Sequence, residues 1–216
     1  MRKKTDFFVP LHVQNNNKLK VAIIKYNAGN IFSVDYGLRR IGIEAEITGD
    51  IDKIRAADKV IFPGVGEAST TMAYLREHHL DKLIIDLKQP VLGICIGLQL
   101  MCAHSEEGNV DCLGIFEEKV KKFISQNPAE KVPHMGWNTI QHNENPLFRG
   151  LSQTDYVYYV HSYYAAAGKN TIATTDYIQP YSAALHKNNF YAVQFHPEKS
   201  GATGEKILKN FIEIQL

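Results

Sequence analysis

The chain has 216 residues, of which 44% are hydrophobic, and a formal net charge of +1. That much apolar material can build one sizeable core, and the length suits one domain better than two independent ones. A near-neutral balance with no run of Lys and Arg gives no electrostatic reason for a nucleic-acid partner.

Residues 1–19 are expected to form a poorly ordered extension, because Asn15-Asn16-Asn17 is a polar tract without periodicity. The basic start, Met1-Arg2-Lys3-Lys4, is followed only by Phe7-Phe8-Val9 before Pro10 and His12, so a secretory signal is not expected. The longest apolar run, Val91 to Ala103, is too short to span a bilayer and contains Gln99, so no membrane partner is expected. Cys95, Cys102 and Cys112 are odd in number and lack C-x-x-C spacing. They fit neither a disulfide framework nor a zinc site, and they are compatible with a reducing compartment. The reading is a soluble cytoplasmic protein with no metal and no cofactor.

From Lys20 the pattern becomes regular, and residues 20–216 read as one domain. Val21-Ala22-Ile23-Ile24 is a short apolar run of the kind covered on both faces of a sheet. Asn27-Ala28-Gly29-Asn30 makes a turn, with Asn30 placed to cap a helix running to about Arg40. Ile43 to Ile47 alternates as a second strand, and Val60-Ile61-Phe62 is a third, ending in Pro63-Gly64-Val65-Gly66. A helix is predicted from about Glu67 to His79. A fourth strand, Val91 to Ile94, runs straight into another helical pattern. In the second half Tyr156–Tyr163 and Phe190–Phe195 are strand-like, with shorter candidates at Thr171–Thr174 and Ala183–Leu185 and a closing helix near Gly204–Glu213. Alternating strand and helix predicts an α/β fold of three layers. The central sheet is mostly parallel, with helices on both faces and extra antiparallel strands in the C-terminal half.

Gly93-Ile94-Cys95-Ile96-Gly97 lies between an apolar strand and a helix. It has the form of a nucleophile elbow with Cys in place of Ser, the glycines permitting close backbone approach in the sharp turn. At the start of a helix, unpaired N–H groups and the helix dipole favour a thiolate. Cys102 and Cys112 read as structural. Phe190 to Phe195 leads into His196-Pro197-Glu198, and on extended backbone two side chains two apart project to the same side. An imidazole near Cys95 can take its proton, while the carboxylate fixes the ring's tautomer. The amide of Ile96 and the loop Pro63–Gly66 are candidates to stabilise an oxyanion, each donor being worth about 3–4 kcal/mol. A phosphate-cradling role for that loop is the rival, but no Gly-Lys-Ser/Thr follows it. Gly201-Ala202-Thr203-Gly204 reads as a loop and helix cap.

Together, Gly-Ile-Cys-Ile-Gly-Leu-Gln at 93–99, Pro-Gly-Val-Gly at 63–66 and Gln-Phe-His-Pro-Glu-Lys-Ser at 194–200 resemble the triad-type glutamine amidotransferases. Within them, Asn27–Asn30, Ser105–Gly108, Pro133–Asn138 and Val160–Tyr163 are similar to the glutaminase subunits of imidazole glycerol phosphate synthases, from histidine biosynthesis. The likeness covers residues 20–216. It implies that Cys95 forms a γ-glutamyl thioester, that His196 is general base and then acid, and that Glu198 orients it. The amides of Val65 and Ile96 would form the oxyanion hole, with Gly64 and Gly66 letting the loop turn. Gly64, Gly66, Gln99, Glu107, Ser162 and Tyr163 would form the binding site for L-glutamine. Asn30, Trp137 and Lys199 would face a cyclase of (β/α)8-barrel type in a heterodimer, and ammonia would pass to it. Two alternatives stay open at this point: the same chemistry in a surface-sugar pathway, and a non-catalytic glutamine-binding assembly subunit.

Overall fold

The computed structural model describes residues 19–26 and 29–215. The expectations for residues 1–18 and for Asn27 and Ala28 lie outside these. Nine elements precede residue 102. They are β1 (Val21–Ile24), α1 (Ile31–Arg40), β2 (Ala45–Thr48), α2 (Ile51–Arg55), β3 (Lys59–Phe62), α3 (Ala68–Glu77), α4 (Leu80–Asp86), β4 (Val91–Ile94) and α5 (Ile96–Met101). The next five strands are β5 (His104–Ser105), β6 (Val110–Asp111), β7 (Lys119–Lys122), β8 (His134–Thr139) and β9 (Gln141–His142). The last part comprises β10 (Tyr156–His161), β11 (Tyr163–Ala165), β12 (Thr171–Tyr177), β13 (Gln179–Lys187), β14 (Phe190–Val193) and α6 (Gly201–Glu213).

The main sheet has eight strands in the order β2-β1-β3-β4-β14-β13-β12-β9. The first five are mutually parallel, and β13, β12 and β9 continue the sheet in antiparallel sense. A four-stranded sheet (β11-β7-β5-β6) and a two-stranded ribbon (β10-β8) complete the structure. This is the expected α/β frame with antiparallel additions in the second half.

The apolar runs in the parallel strands alternate strictly between two cores. Val21, Ile23, Ile61, Leu92, Ile94, Tyr191 and Val193 face the layer holding α1 and α6, where Leu38, Leu208 and Phe211 are fully buried. Ala22, Ile24, Val60, Phe62, Val91 and Ala192 face the layer of α2 to α5. A strand buried on both sides needs no polar positions, which is why these four-residue segments read as unbroken apolar runs. Each large side chain so buried contributes about 1.5–3 kcal/mol.

Several boundaries differ from expectation. The helix begun at Glu67 ends at Glu77, and its start is fixed by the Glu67 carboxylate, which accepts from the Ser69 and Thr70 amides. His78 and His79, within the predicted helix, are exposed and form the link to α4 instead. Cys102, read as structural, lies at the C-terminal end of α5. It terminates α5 with extended backbone and is wholly buried, burial holding its thiol well above the ordinary range. Tyr156–Tyr163 divides at Ser162 into β10 and β11. Gly201–Gly204 is the first turn of α6 rather than a loop.

Candidate active site

Three neighbouring parallel strands, β3, β4 and β14, bring their carboxyl ends to one place. Val193 pairs with Ile94, and Phe62 pairs with Gly93. The residues immediately beyond these pairs are therefore brought close: the Pro63–Gly66 loop, Cys95 and the segment Gln194–Glu198.

Cys95 sits between β4 and α5 with φ 55° and ψ −107°. Positive φ in a residue with a Cβ stores about 1–3 kcal/mol of strain, and such strain gathers at functional sites. The conformation is held at both ends. The Cys95 amide donates to the Val193 carbonyl at 2.8 Å, and its own carbonyl accepts from the Leu98 and Gln99 amides. Gly97 makes the turn possible, because a Cβ there would run into the Phe62 carbonyl oxygen. Gly64 is under the same constraint, with the Tyr26 hydroxyl and the Ile96 side chain where its Cβ would be.

His196 and Glu198 do meet, though not by the extended geometry expected. Strand β14 stops at Val193, and Pro197–Lys199 forms a 3-10 turn that folds the carboxylate back beside the ring. Glu198 Oε1 lies 2.8 Å from His196 Nδ1, and both side chains are completely buried. Burial alone would lower the imidazole's pKa. The Cys95 sulfur and then the Glu198 carboxylate outweigh it and push the ring up to about 10. His196 Nε2 has no conventional partner among the described residues, leaving that nitrogen for the thiol. The His196 amide donates to the Tyr158 carbonyl, and Ser200 Oγ bridges the His196 carbonyl and the Tyr158 amide, tying the turn to β10.

Asn30 departs most from expectation. It precedes α1 with φ 69° and makes no side-chain cap. Instead its Nδ2 donates to Glu198 Oε1 at 2.8 Å. Helix α1 closes on the same residue from two further points: Arg40 donates to the Glu198 carbonyl, and a Cβ on Gly37 would lie 2.9 Å from Glu198 Cβ.

A cavity of about 190 Å³ opens at Cys95, lined also by Val65, Gly66, Ile96, Gln99, Glu107, His161, Ser162 and Tyr163. That is the volume of about six waters. A larger cleft of about 560 Å³ beside His142 and Arg149 brings no nucleophile and base together. The amides of Val65, Gly66 and Ile96 have no hydrogen-bond partner among the described residues. Glu107 accepts from the Ala68 amide at 2.9 Å. Burial, with repulsion from Glu67, raises its carboxyl above the usual range even so.

Gln99 is 3% exposed, and its Nε2 reaches both the Tyr163 carbonyl (2.8 Å) and Gln194 Oε1 (3.0 Å). With both N–H bonds engaged, only its oxygen is available to a ligand. Gln194, 0% exposed, points Nε2 at Cys95 Sγ, 3.8 Å away. It lies inside the Gln194–Ser200 motif, but nothing in the sequence marks it as a contact of the sulfur. His161 and His134, two histidines with no partner evident in sequence, share the Tyr181 hydroxyl. Burial depresses them to about 3 and about 4 respectively.

Trp137 and Lys199 have exposed side chains and do not line the Cys95 cavity, although the Lys199 amide donates to the His196 carbonyl. Trp137 is 55% exposed on β8, with Met135 and Tyr156 also exposed on the same ribbon. Among the described residues no group of His, Cys, Asp and Glu is arranged to hold a metal ion, and no helix is long and apolar enough to cross a membrane.

Comparison with known proteins identifies the family. The sequence profile of the family described as "Glutamine amidotransferase class-I" matches residues 14–214. The imidazole glycerol phosphate synthase subunit HisH of Bacteroides fragilis is 63% identical over 196 residues, covering 91% of this chain and 100% of that protein. Its counterpart in Bacteroides thetaiotaomicron is 61% identical with the same coverage. Among solved structures, a Thermoplasma acidophilum protein assigned to GMP synthase has a TM-score of 0.70 at 23% identity, with 90% of this chain and 92% of that chain covered. At that identity it speaks for the fold alone. The chain belongs to the class-I glutamine amidotransferases, within the family of HisH subunits of imidazole glycerol phosphate synthase.

Proposed function

We propose that Cys95, His196 and Glu198 release ammonia from L-glutamine and that a partner cyclase consumes it. The observation that carries this reading is the order of contacts. Glu198 holds Nδ1 of a buried imidazole, and Nε2 is left to the sulfur of a strained cysteine. His196 takes the thiol proton, and the sulfur attacks the side-chain carboxamide carbon of glutamine. The C–N bond breaks, nitrogen leaves as ammonia with a proton from His196, and a γ-glutamyl thioester remains. Water, deprotonated by the same ring, then adds to the thioester. The C–S bond breaks, the electron pair returns to sulfur, and glutamate is released.

The amides of Val65 and Ile96, without a hydrogen-bond partner among the described residues, are suited to the oxyanion formed in both steps. Glu107, whose carboxyl burial raises above the usual range, would face the substrate's α-ammonium group, while the Gln99 oxygen, Ser162 and Tyr163 line the rest of the cavity. A small number of convergent polar groups is what fixes the orientation of a small ligand in such a pocket.

The partner in this reading is a cyclase of (β/α)8-barrel type forming a heterodimer. It would combine ammonia with a phosphoribulosyl-formimino-carboxamide ribotide to give imidazole glycerol phosphate and aminoimidazole carboxamide ribotide. Support comes from the naming of the relatives as synthase subunits and from the exposed Met135, Trp137 and Tyr156 on the β8-β10 ribbon, with Lys199 exposed on the 3-10 turn. The test is Cys95→Ala assayed with the cyclase. Glutamine-dependent synthesis should be abolished while added ammonium salt still supports the cyclase. Glutamine turnover by that variant would exclude the thioester route.

A further inference from the structure

A carbonyl oxygen can only accept a hydrogen bond, and this orients two buried amides beside Cys95. Gln99 approaches the Tyr163 carbonyl at 2.8 Å. The nitrogen end of its amide must face that oxygen, since the reverse orientation would set two oxygens against each other. The second hydrogen on the same nitrogen is directed at Gln194 Oε1, 3.0 Å away. Gln194 therefore turns its oxygen to Gln99 and its nitrogen to Cys95 Sγ, at 3.8 Å. His161 Nδ1 lies 2.7 Å from the same Tyr163 carbonyl, so two donors hold that oxygen in place. Gln194 and Gln99 are buried, and solvent does not compete for these contacts.

We propose that Gln194 is a catalytic hydrogen-bond donor to the Cys95 sulfur, and that Gln99 is a positioning residue that keeps the nitrogen end of Gln194 on it. The proposal rests on Cys95 as nucleophile and adds a second group that favours its thiolate. It acts at two moments. Before attack, an N–H aimed at sulfur stabilises the anion. When water has added to the thioester and the C–S bond breaks, the electron pair returns to a sulfur already facing a donor. His196, which then carries the proton taken from water, also faces this sulfur, and Gln194 supplies a second donor that stays in place whatever the ring's protonation. Among the described residues, Tyr26 and Tyr181 also act on Cys95, their phenols pushed above the ordinary range and kept neutral by burial, and Glu107 and His161 line the same cavity. His196 is the charged neighbour.

The experiment is the pH dependence of Cys95 alkylation by iodoacetamide in the full chain, in a Cys112→Ser background. The cavity gives a small reagent access to Cys95, whereas Cys102 is fully buried. In Gln194→Leu the half-maximal pH should rise by about one unit, and in Gln194→Glu by more, because a carboxylate replaces the donor. Gln99→Leu should raise it by less. An unchanged profile in a Gln194→Leu protein that melts like the parent overturns the proposal. Should that variant not fold, the parent protein with 15N-labelled side-chain amides decides. The Gln194 NH2 resonances should move as the thiol titrates, and stationary resonances overturn the assignment. Alkylation reads the thiol without glutamine turnover, so its outcome is separate from that of the Cys95→Ala assay.

Discussion

Asn30 Nδ2 donates to Glu198 Oε1 at 2.8 Å, and that oxygen also holds His196 Nδ1. The amide therefore limits rotation of the carboxylate and sets the ring's orientation at one remove. Removing an orienting group should cost less than removing the base it orients. Expected losses in kcat are about tenfold for Asn30→Ala, more for Glu198→Gln, and about 10²–10⁴-fold for His196→Ala. Steady-state glutaminase assays with the cyclase present measure all three. An Asn30→Ala enzyme with wild-type kcat would show that the carboxylate is held adequately by α1 packing alone.

The strained backbone at Cys95 makes a prediction about stability. At φ 55° and ψ −107°, alanine keeps the strain and glycine releases it. Glycine gives back about 0.4–1 kcal/mol through its freer unfolded chain, against about 1–3 kcal/mol of strain relieved. Cys95→Gly should therefore be more stable than Cys95→Ala by about 1 kcal/mol, both being inactive. Urea unfolding midpoints compare them directly. An alanine variant of equal or greater stability would mean that this turn is not strained.

How much of the molecule is legible in its sequence depends on whether a feature is local. Strand β4 is legible at both ends, because Val91–Ile94 is an unbroken apolar run between Pro90 and the elbow. The short helices α2 and α4 are not, since five and seven residues give too little periodicity to stand out. Strand β8 is hidden because its outward Met135 and Trp137 are exposed and apolar, which spoils the alternation of a half-buried strand. The three triad residues can be named from motif and spacing. The contact of Asn30 with Glu198 cannot, because it exists only after α1 docks on a turn 168 positions away. Gln194 gives no separate signal, as its meaning comes from Gln99 across the sheet.

Stability should respond to pH with opposite signs at two sets of histidines. His134 and His161, ordinarily near 6.5, are depressed to about 4 and about 3 by burial. Below about pH 6.5 the unfolded chain takes up protons that these folded rings refuse, so stability falls as pH drops through that window. His196 is raised to about 10. Its contribution is complete below about pH 6.5 and is lost as pH climbs towards 10. A urea midpoint lower at about pH 5 than at about pH 7.5 is expected, with a shallower acid slope in His134→Phe. Phenylalanine retains the stacking on Tyr159 and Tyr177. An acid slope identical in the variant would assign the effect to other groups.

Glu107 offers a separation of binding from chemistry. Its carboxyl is raised by burial and lies on the cavity wall. An amide there cannot offer a full charge to the substrate's ammonium. Glu107→Gln should raise KM for glutamine about tenfold or more while kcat stays near wild type. The parent KM should also increase as pH falls and the carboxyl protonates. A variant that loses kcat at unchanged KM would place Glu107 in the chemistry instead.

The hydrogen bond from the Cys95 amide to the Val193 carbonyl has a wider meaning. It belongs to a ladder whose strand spacing is about 4.8 Å in any protein. Sulfur and imidazole, both displayed from this scaffold, inherit their separation from backbone dimensions rather than from the long excursion of chain between them. Gln194 and Cys95 stand 99 positions apart along that excursion. Insertions or deletions within it should therefore be tolerated where they leave β4 and β14 side by side and spare Gln99, Glu107, Tyr158 and the His161–Tyr163 segment, so that the periphery can change while the chemistry stays in register.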